Sequence, residues 1–280
     1  MNVAVEVGTV ADSTITGCID YCKALEVDRV VLTATRVPGF RETGSLDLGE
    51  VKAQKALVDD AGMSTSAVVY WAPPAITGDG ADAAKLFDAL TKNLDVIAGA
   101  GLNTLSMFAG MARPVDPADE DAQWAKLIGF YQRLLAAADE RGVRVATHFA
   151  GTAPARSILV GGAAYRRLFR EVPSAGNGLC FCVGNAWVSD GERIYNVIHE
   201  FGDRIFYVHT RSTKMGWGEH PYWWDVDGGP DMRKILQTLK DVGYQGDLRA
   251  EHMPEVPGEN RTDIGTGWAI GYTKALLRYL

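Results

Sequence analysis

Four side chains that can bind a metal ion stand near the ends of four consecutive predicted strands. The fifth strand ends in a histidine, the sixth in a cysteine, the seventh in a histidine and the eighth in a glutamate. These residues are His148, Cys182, His209 and Glu251. Imidazole, thiolate and carboxylate groups are protein ligands of divalent transition metals. Because the carboxyl ends of parallel strands meet at one edge, the pattern predicts a shared metal site there.

The alternation of side chains along each strand supports the same set. In the sixth strand, residues 179, 181 and 183 are apolar and would face the helices. Cys180 and Cys182 would then point to the opposite face, because successive side chains of a strand alternate. The same alternation turns His148, His209 and Glu251 inward on the other three strands, and it turns Arg249 inward as well.

Each of these residues also has an ordinary structural interpretation. A histidine at a strand end is most often structural, and a cysteine in an apolar strand is most often a small core residue. A buried Glu251 would pair with a cation, for which Arg249 is a candidate. All four ordinary interpretations would have to hold together, at matching strand ends and with matching alternation. The combined pattern therefore favours a metal site.

Short β-branched segments alternate with longer helical patterns along the chain. The predicted strands are Val3–Val7, Arg29–Thr35, Thr65–Trp71, Thr104–Ala109, Arg144–Phe149, Leu179–Val183, Ile205–Thr210 and Asp247–His252. The predicted helices lie near 12–25, 48–61, 82–100, 119–141, 160–171, 190–201, 230–242 and 267–280. Eight such units predict an α/β fold, a (β/α)8 TIM barrel, with one domain over residues 1–280. An open doubly wound sheet is the alternative, but no Gly-x-Gly-x-x-Gly follows the first strand.

Substrate-binding candidates also follow the predicted strands. Arg211 lies two residues beyond His209 and would suit a carboxylate by bidentate pairing. Trp71 follows the third strand, where an aromatic ring suits the apolar face of a sugar or, equally, a hydrophobic cap over the barrel. His220, within the long irregular stretch 211–229, and Arg249 complete the predicted substrate-binding residues.

Composition excludes several classes of protein. The 280 residues are 47% hydrophobic and 22% charged, which is typical of a globular fold and not of a disordered chain. The net charge of −7 disfavours nucleic acid as a partner. No apolar run approaches the ~20 residues of a membrane helix, and the amino terminus has no signal-peptide pattern. We therefore expect a cytoplasmic protein with a small-molecule partner and no membrane partner, and a homo-oligomer is compatible with this interpretation.

The motifs around the candidate ligands resemble those of a known family. Segments 178–184, 198–205, 208–211 and 249–252 read Gly-Leu-Cys-Phe-Cys-Val-Gly, Ile-His-Glu-Phe-Gly-Asp-Arg-Ile, Val-His-Thr-Arg and Arg-Ala-Glu-His. In this order they resemble motifs of the mannonate dehydratases of hexuronate breakdown, and Ala-Ile-Gly at 269–271 fits as well. The resemblance runs from near residue 140 to the end. The first half is similar only to the wider xylose isomerase-like barrel superfamily.

The resemblance implies a cofactor and two kinds of site residue. The family holds a divalent metal, usually manganese, with residues that correspond to His148, Cys182, His209 and Glu251. It implies that His252, directly after the acid, is a catalytic acid/base. We therefore expect Mn²⁺, with Fe²⁺ or Zn²⁺ as alternatives because those ions suit a thiolate ligand better.

Three departures from the family pattern are visible. The family's metal-binding acid is aspartate, whereas Glu251 is one methylene longer. A family tyrosine that is implicated in catalysis falls at Gly267, beside Trp268. The chain is also shorter than the family's dehydratases.

The predicted function is that of a metal-dependent lyase. It would eliminate water from a sugar acid such as D-mannonate and give a 2-keto-3-deoxy acid, with Arg211 on the substrate carboxylate and His252 in proton transfer. A metal-dependent sugar isomerase or epimerase of the same superfamily is the alternative within enzymes. A non-catalytic sugar-binding barrel is the alternative outside them, and the acidic charge disfavours a metal-dependent endonuclease of related fold.

Overall fold

Strands and helices alternate along the chain as the sequence predicts. The structure, a computed structural model, describes residues 1–70, 80–109, 117–151, 158–214, 221–254, 256 and 263–280. In chain order the strands are β1 (Asn2–Glu6), β2 (Arg29–Thr33), β3 (Ser64–Tyr70), β4 (Thr104–Met107), β5 (Arg144–His148), β6 (Asn177–Cys182), β7 (Ile205–Thr210), β8 (Ser212–Thr213), β9 (Pro221–Tyr222) and β10 (Asp247–Ala250). The antiparallel β8 and β9 form a small sheet of their own.

The remaining strands close into a parallel barrel. Their spatial order is β1-β10-β7-β6-β5-β4-β3-β2, and β2 returns to β1. Each strand of the ring therefore lies beside its neighbour in chain order, apart from the excursion through β8 and β9. The predicted (β/α)8 barrel is confirmed, and the open doubly wound sheet is excluded because the sheet has closed on itself.

The helices cover the outside of this barrel. They are α1 (Ile15–Ala24), α2 (Phe40–Thr43), α3 (Leu48–Asp60), α4 (Gly80–Gly99), α5 (Glu120–Asp139), α6 (Gly161–Glu171), α7 (Val183–Asp190), α8 (Ile194–Phe201), α9 (Met232–Asp241) and α10 (Asp263–Arg278). Side chains of Thr14, Asp47 and Asp231 cap three of these helices by accepting a backbone N–H group three residues ahead. Within the described ranges, no helix combines the length and apolar composition that a membrane crossing requires.

Two predicted boundaries differ in ways that matter for the site. The prediction of a helix near 190–201 missed α7, which begins at Val183 directly after the last residue of β6. The last helix begins at Asp263 instead of near residue 267. The Asp263 carboxylate accepts the backbone N–H of Ala11 at 3.0 and 3.1 Å and so joins α10 to the β1–α1 connection.

The barrel interior is narrow and lined mainly by small side chains. A cluster of buried apolar side chains fills it: Ala4, Val31, Ala67, Val69, Ala146, Cys180 and Tyr207. The larger apolar residues of the strands pack outward against the helices. Polar side chains of the strands converge at the carboxyl end of the barrel.

Candidate metal centre

The strand register places the predicted ligands near the carboxyl ends of neighbouring strands. His148 at the end of β5 lies opposite Cys180 of β6. Cys182 at the end of β6 lies opposite His209 of β7. His209 in turn lies opposite Arg249 of β10, two residues before the predicted glutamate ligand. Neighbouring strands therefore place these side chains side by side at the carboxyl end of the barrel.

The four predicted ligands are in close contact. Nε2 of His148 lies 3.1 Å from Nδ1 of His209, and these two atoms lie 3.6 and 3.0 Å from Oε1 of Glu251. The Cys182 thiol donates a hydrogen bond to Oε2 of the same carboxylate at 3.3 Å. None of the four side chains is more than 4% exposed. Glu251 is thus the common neighbour of both imidazoles and the thiol.

Two overlapping groups of ligand atoms have the spacing that a metal ion requires. His148, Cys182 and Glu251 form one group, and His148, Cys180 and His209 form the other, with all ligand atoms of each group within 4.8 Å of one another. The donor set of imidazole, thiol and carboxylate fits a divalent transition metal. Cys180 is the member that the sequence prediction left out, although strand alternation had already turned it inward.

The protonation states fit this interpretation in part. Burial would raise the pKa of Glu251, but His209 and hydrogen bonds from both histidines lower it well below its ordinary value. Burial lowers the pKa of His209 to about 4, although Glu251 opposes the shift. The carboxylate is therefore ionised and His209 is neutral near pH 7, as metal binding requires. Burial and the charge of Glu251 raise the pKa of Cys182, so an ion would have to displace its proton.

A buried ion-pair network that involves the neighbouring strand β1 supports Glu251. Nη1 of Arg249 lies 3.3 Å from Oε1 of Glu251, and its Nε lies 3.1 Å from Oε2 of Glu6. The hydroxyl of Thr33 donates to Oε1 of Glu6 at 3.0 Å. The pairing of Arg249 with Glu251 was predicted from the sequence, whereas Glu6 was not among the predicted site residues. The available signal was an acidic residue at the carboxyl end of the first strand.

Arg211 lies beside Cys182, the predicted cysteine ligand, and is almost fully buried, with 2% exposure. Its Nη1 donates to Oδ1 of Asn185 at 3.2 Å, and Asn185 in turn donates to the carbonyl of Phe149 at 3.0 Å. The positive charge of Arg211 lowers the pKa of Cys182 against the larger effect of burial. The contacts through Asn185 tie Arg211 to the end of β5. Asn185 was missed because it belongs to α7, which was not predicted.

Gly184 makes room for the Arg211 side chain, and replacing it should displace that side chain. A Cβ atom at Gly184 would stand 2.8 Å from Cγ of Arg211. We expect Gly184→Ala to lower the free energy of unfolding by about 1–3 kcal/mol in urea titrations. The control is Gly129→Ala in α5, where a Cβ would meet nothing within 4 Å. That change should be neutral or stabilising by up to about 1 kcal/mol, and equal effects of the two would contradict the packing argument.

An aromatic ring and a tyrosine hydroxyl orient His148. Phe108, just after β4, stacks on the imidazole with ring centroids 4.5 Å apart. The hydroxyl of Tyr165 on α6 donates to the backbone carbonyl of His148 at 2.7 Å. The stacking contact on the imidazole and the hydrogen bond to the backbone carbonyl together restrict the rotation of the His148 side chain.

His252 differs from the ligands because it is half exposed. Its backbone is in the left-handed region, with φ at 48°, directly after Glu251. Its Nε2 lies 3.8 Å from Oε1 of Glu251, and the side chain is 50% exposed. The imidazole therefore reaches solvent at the mouth of the barrel while staying next to the ligand cluster.

Other predicted residues fall elsewhere. Trp71 and His220 lie outside the described residues. Gly267 faces helix α1, where an added Cβ would meet the hydroxyl of Tyr21 at 3.2 Å. Trp268 stacks on Tyr272, with ring centroids 5.1 Å apart, on the outer face of α10. A tyrosine at position 267 would therefore point toward α1.

Sequence comparison identifies the family. A sequence model of the family described as D-mannonate dehydratase (UxuA) matches residues 76–277. The chain belongs to the D-mannonate dehydratase family. The match begins well before residue 140, where the motif resemblance begins, so it also covers the middle of the barrel.

Individual relatives agree with this assignment. A mannonate dehydratase of Oceanobacillus iheyensis is 28% identical over 191 residues, which are 64% of this chain and 53% of that protein. The chain spans about half the length of the curated relatives it matches.

Solved structures share the fold. The mannonate dehydratase of Streptococcus suis serotype 2 superposes with a TM-score of 0.78 at 20% identity, covering 100% of this chain and 95% of that one. An L-ribulose 3-epimerase superposes with a TM-score of 0.76 at 14% identity, covering 99% and 95%. At these sequence identities, the superpositions establish only that the barrel fold is shared.

Proposed function

We propose that this protein is a metal-dependent dehydratase that removes water from a sugar acid of the D-mannonate type and yields a 2-keto-3-deoxy acid. The observation that carries the proposal is the buried convergence of two imidazoles, a thiol and a carboxylate at the mouth of a barrel of this family. Such a cluster has no apolar packing role, because each group is costly to bury without a partner.

Four residues would hold the ion: His148, Cys182, His209 and Glu251. A bound divalent ion would supply Lewis acidity toward the substrate carboxylate and a neighbouring hydroxyl. This would make the hydrogen on carbon 2 more acidic. The family resemblance favours Mn²⁺, and the thiol and imidazoles also suit Fe²⁺ or Zn²⁺. Arg249 would keep Glu251 ionised and in place, because its guanidinium lies between that carboxylate and Glu6.

Proton transfer is assigned to His252. A base takes the hydrogen from carbon 2, hydroxide leaves carbon 3 with a proton from an acid, and the resulting enol becomes the keto acid. A solvent-exposed imidazole next to the predicted ligands can accept and donate these protons. Arg211 would pair with the substrate carboxylate from beside Cys182, and Trp71 and His220 remain predicted substrate contacts.

The direct test is turnover of D-mannonate. Protein whose bound Mn²⁺ has been measured is incubated with the substrate, and formation of the 2-keto-3-deoxy acid is followed. Formation of this product at a steady rate supports the proposal. Exchange of substrate hydrogen for deuterium without loss of water would instead indicate isomerase or epimerase chemistry. A chain that binds sugar acids but no metal would indicate a binding barrel.

Replacing His252 separates its role from that of the ligands. We expect His252→Asn to retain metal and lose about 10²–10⁴-fold in kcat, because a positioned general acid/base contributes on this order. The measurement is turnover together with metal content. The matched control is His199→Asn on the exposed face of α8, which should turn over normally. Unchanged turnover in His252→Asn would remove this residue from the mechanism.

A further inference from the structure

We propose that Cys180 forms, with His148 and His209, a second ligand set that captures thiophilic ions such as Zn²⁺ or Cd²⁺ in competition with the set that contains Glu251. The proposal shares two histidines with the proposed function but does not depend on dehydratase activity. The ligand atoms of these three residues lie within 4.8 Å of one another, and all three side chains are buried.

The position of Cys180 in the barrel argues for this role. Cys180 is the β-ladder partner of His148. It precedes Cys182 by two residues, so its side chain lies on the same face of β6 but farther from the carboxyl end of the barrel. It lies among the small residues of the barrel interior, represented by Ala146 on the neighbouring strand. Ser106 on β4 is a hydrogen-bond partner of the Cys180 thiol. Burial and the charge of Glu251 raise the pKa of this thiol, so it can serve as a metal ligand only once an ion displaces its proton.

The chemistry of the two sets differs. The set with Glu251 offers a carboxylate, which suits harder ions such as Mn²⁺. The set with Cys180 offers two nitrogen atoms and a sulfur atom, the donors that borderline and soft ions prefer, with one position left open in a tetrahedral arrangement. Because His148 belongs to both sets, one ion excludes the other. The sequence Cys-Phe-Cys at 180–182 would therefore make the centre sensitive to displacement by thiophilic ions.

The test is a metal competition that requires no turnover. Cd²⁺ is added to Mn²⁺-loaded protein, and two signals are followed: the electron paramagnetic resonance of released Mn²⁺ and the ultraviolet charge-transfer band of cadmium thiolate. We expect Cys180→Ser to reduce Cd²⁺ affinity at least 10-fold and to remove most of the band, while Mn²⁺ affinity stays within about 3-fold of the native value. Cys22→Ser, a buried free cysteine on α1, is the control and should change neither signal.

The outcomes are distinct. A Cys180→Ser protein with the native band and native Cd²⁺ affinity would overturn the proposal, and the band should then disappear in Cys182→Ser. Retention of Mn²⁺ by the Cys180→Ser protein shows that its centre is folded. If that protein fails to retain Mn²⁺, Cys180→Ala is used, since alanine already lines the barrel around this position. Failure of D-mannonate turnover would leave these measurements unaffected, so the two proposals fail separately.

Discussion

Glu251→Gln is expected to lose bound metal, with an affinity for Mn²⁺ at least about 100-fold weaker than that of the native chain. Residues that only support a ligand are worth 10–100-fold in affinity, and Glu251 is in direct contact with both histidines. Glutamine keeps the size of the side chain but removes its negative charge. That charged carboxylate accepts a hydrogen bond from Cys182 and pairs with Arg249. The loss should therefore come from the ligand chemistry and not from a cavity.

Thermal unfolding with and without Mn²⁺ measures this effect. An ion at 100 times its Kd stabilises the folded state by about 2.7 kcal/mol, so native protein should show a Tm that rises with added Mn²⁺. Glu251→Gln should show no such rise. Glu251→Asp should show an intermediate rise in Tm, because the carboxylate is kept on a side chain that is one methylene shorter. Glu192→Gln on the exposed surface should behave as native. A normal Mn²⁺-dependent rise in Glu251→Gln would exclude Glu251 as a ligand.

Arg249→Met is expected to lower the free energy of unfolding by about 3–5 kcal/mol, the cost of removing one partner of a buried ion pair. The Arg249 side chain is 8% exposed and lies between Glu6 and Glu251, which are 2% and 3% exposed. Without the guanidinium, two buried carboxylates at the ends of the neighbouring strands β1 and β10 would lie close together with no cation between them. We expect the loss in metal-free protein, as measured by urea unfolding.

Two further variants identify the cause. Arg249→Met combined with Glu6→Gln should recover part of the lost stability, because one of the two unpaired charges is then gone. Arg166→Met removes an ion pair with Glu200 whose side chains are 53% and 35% exposed, and it should cost less than about 1 kcal/mol. A cost below that value for Arg249→Met would mean that solvent already reaches the network.

The fold was predictable because its signals are local. Each strand shows its own β-branched run, and each helix its own period, so the barrel follows from the order of elements. Alternation within β6, β7 and β10 also indicated which side chains face inward. These are properties of single strands, and they required no knowledge of which strand lies next to which.

The missed parts of the site depend on contacts that a single strand does not reveal. Glu6 meets Arg249 only because β1 closes against β10, far along the chain. Asn185 reaches Arg211 only because α7 begins without a loop after Cys182. Cys180 faces inward as predicted, but its nearness to both histidines depends on the register between neighbouring strands.

The pairing of β1 with β10 also has a consequence for how the chain matures during synthesis. On the ribosome, β5, β6 and β7 are made long before β10, so both histidines and both cysteines emerge while the acidic ligand and Arg249 are still missing. Glu6 cannot pair with the Arg249 guanidinium until β10 is made and pairs with β1. A nascent chain would thus present nitrogen and sulfur donors first and the carboxylate last. The order of translation would therefore expose the nitrogen and sulfur donors of the proposed centre to thiophilic ions before its carboxylate is in place.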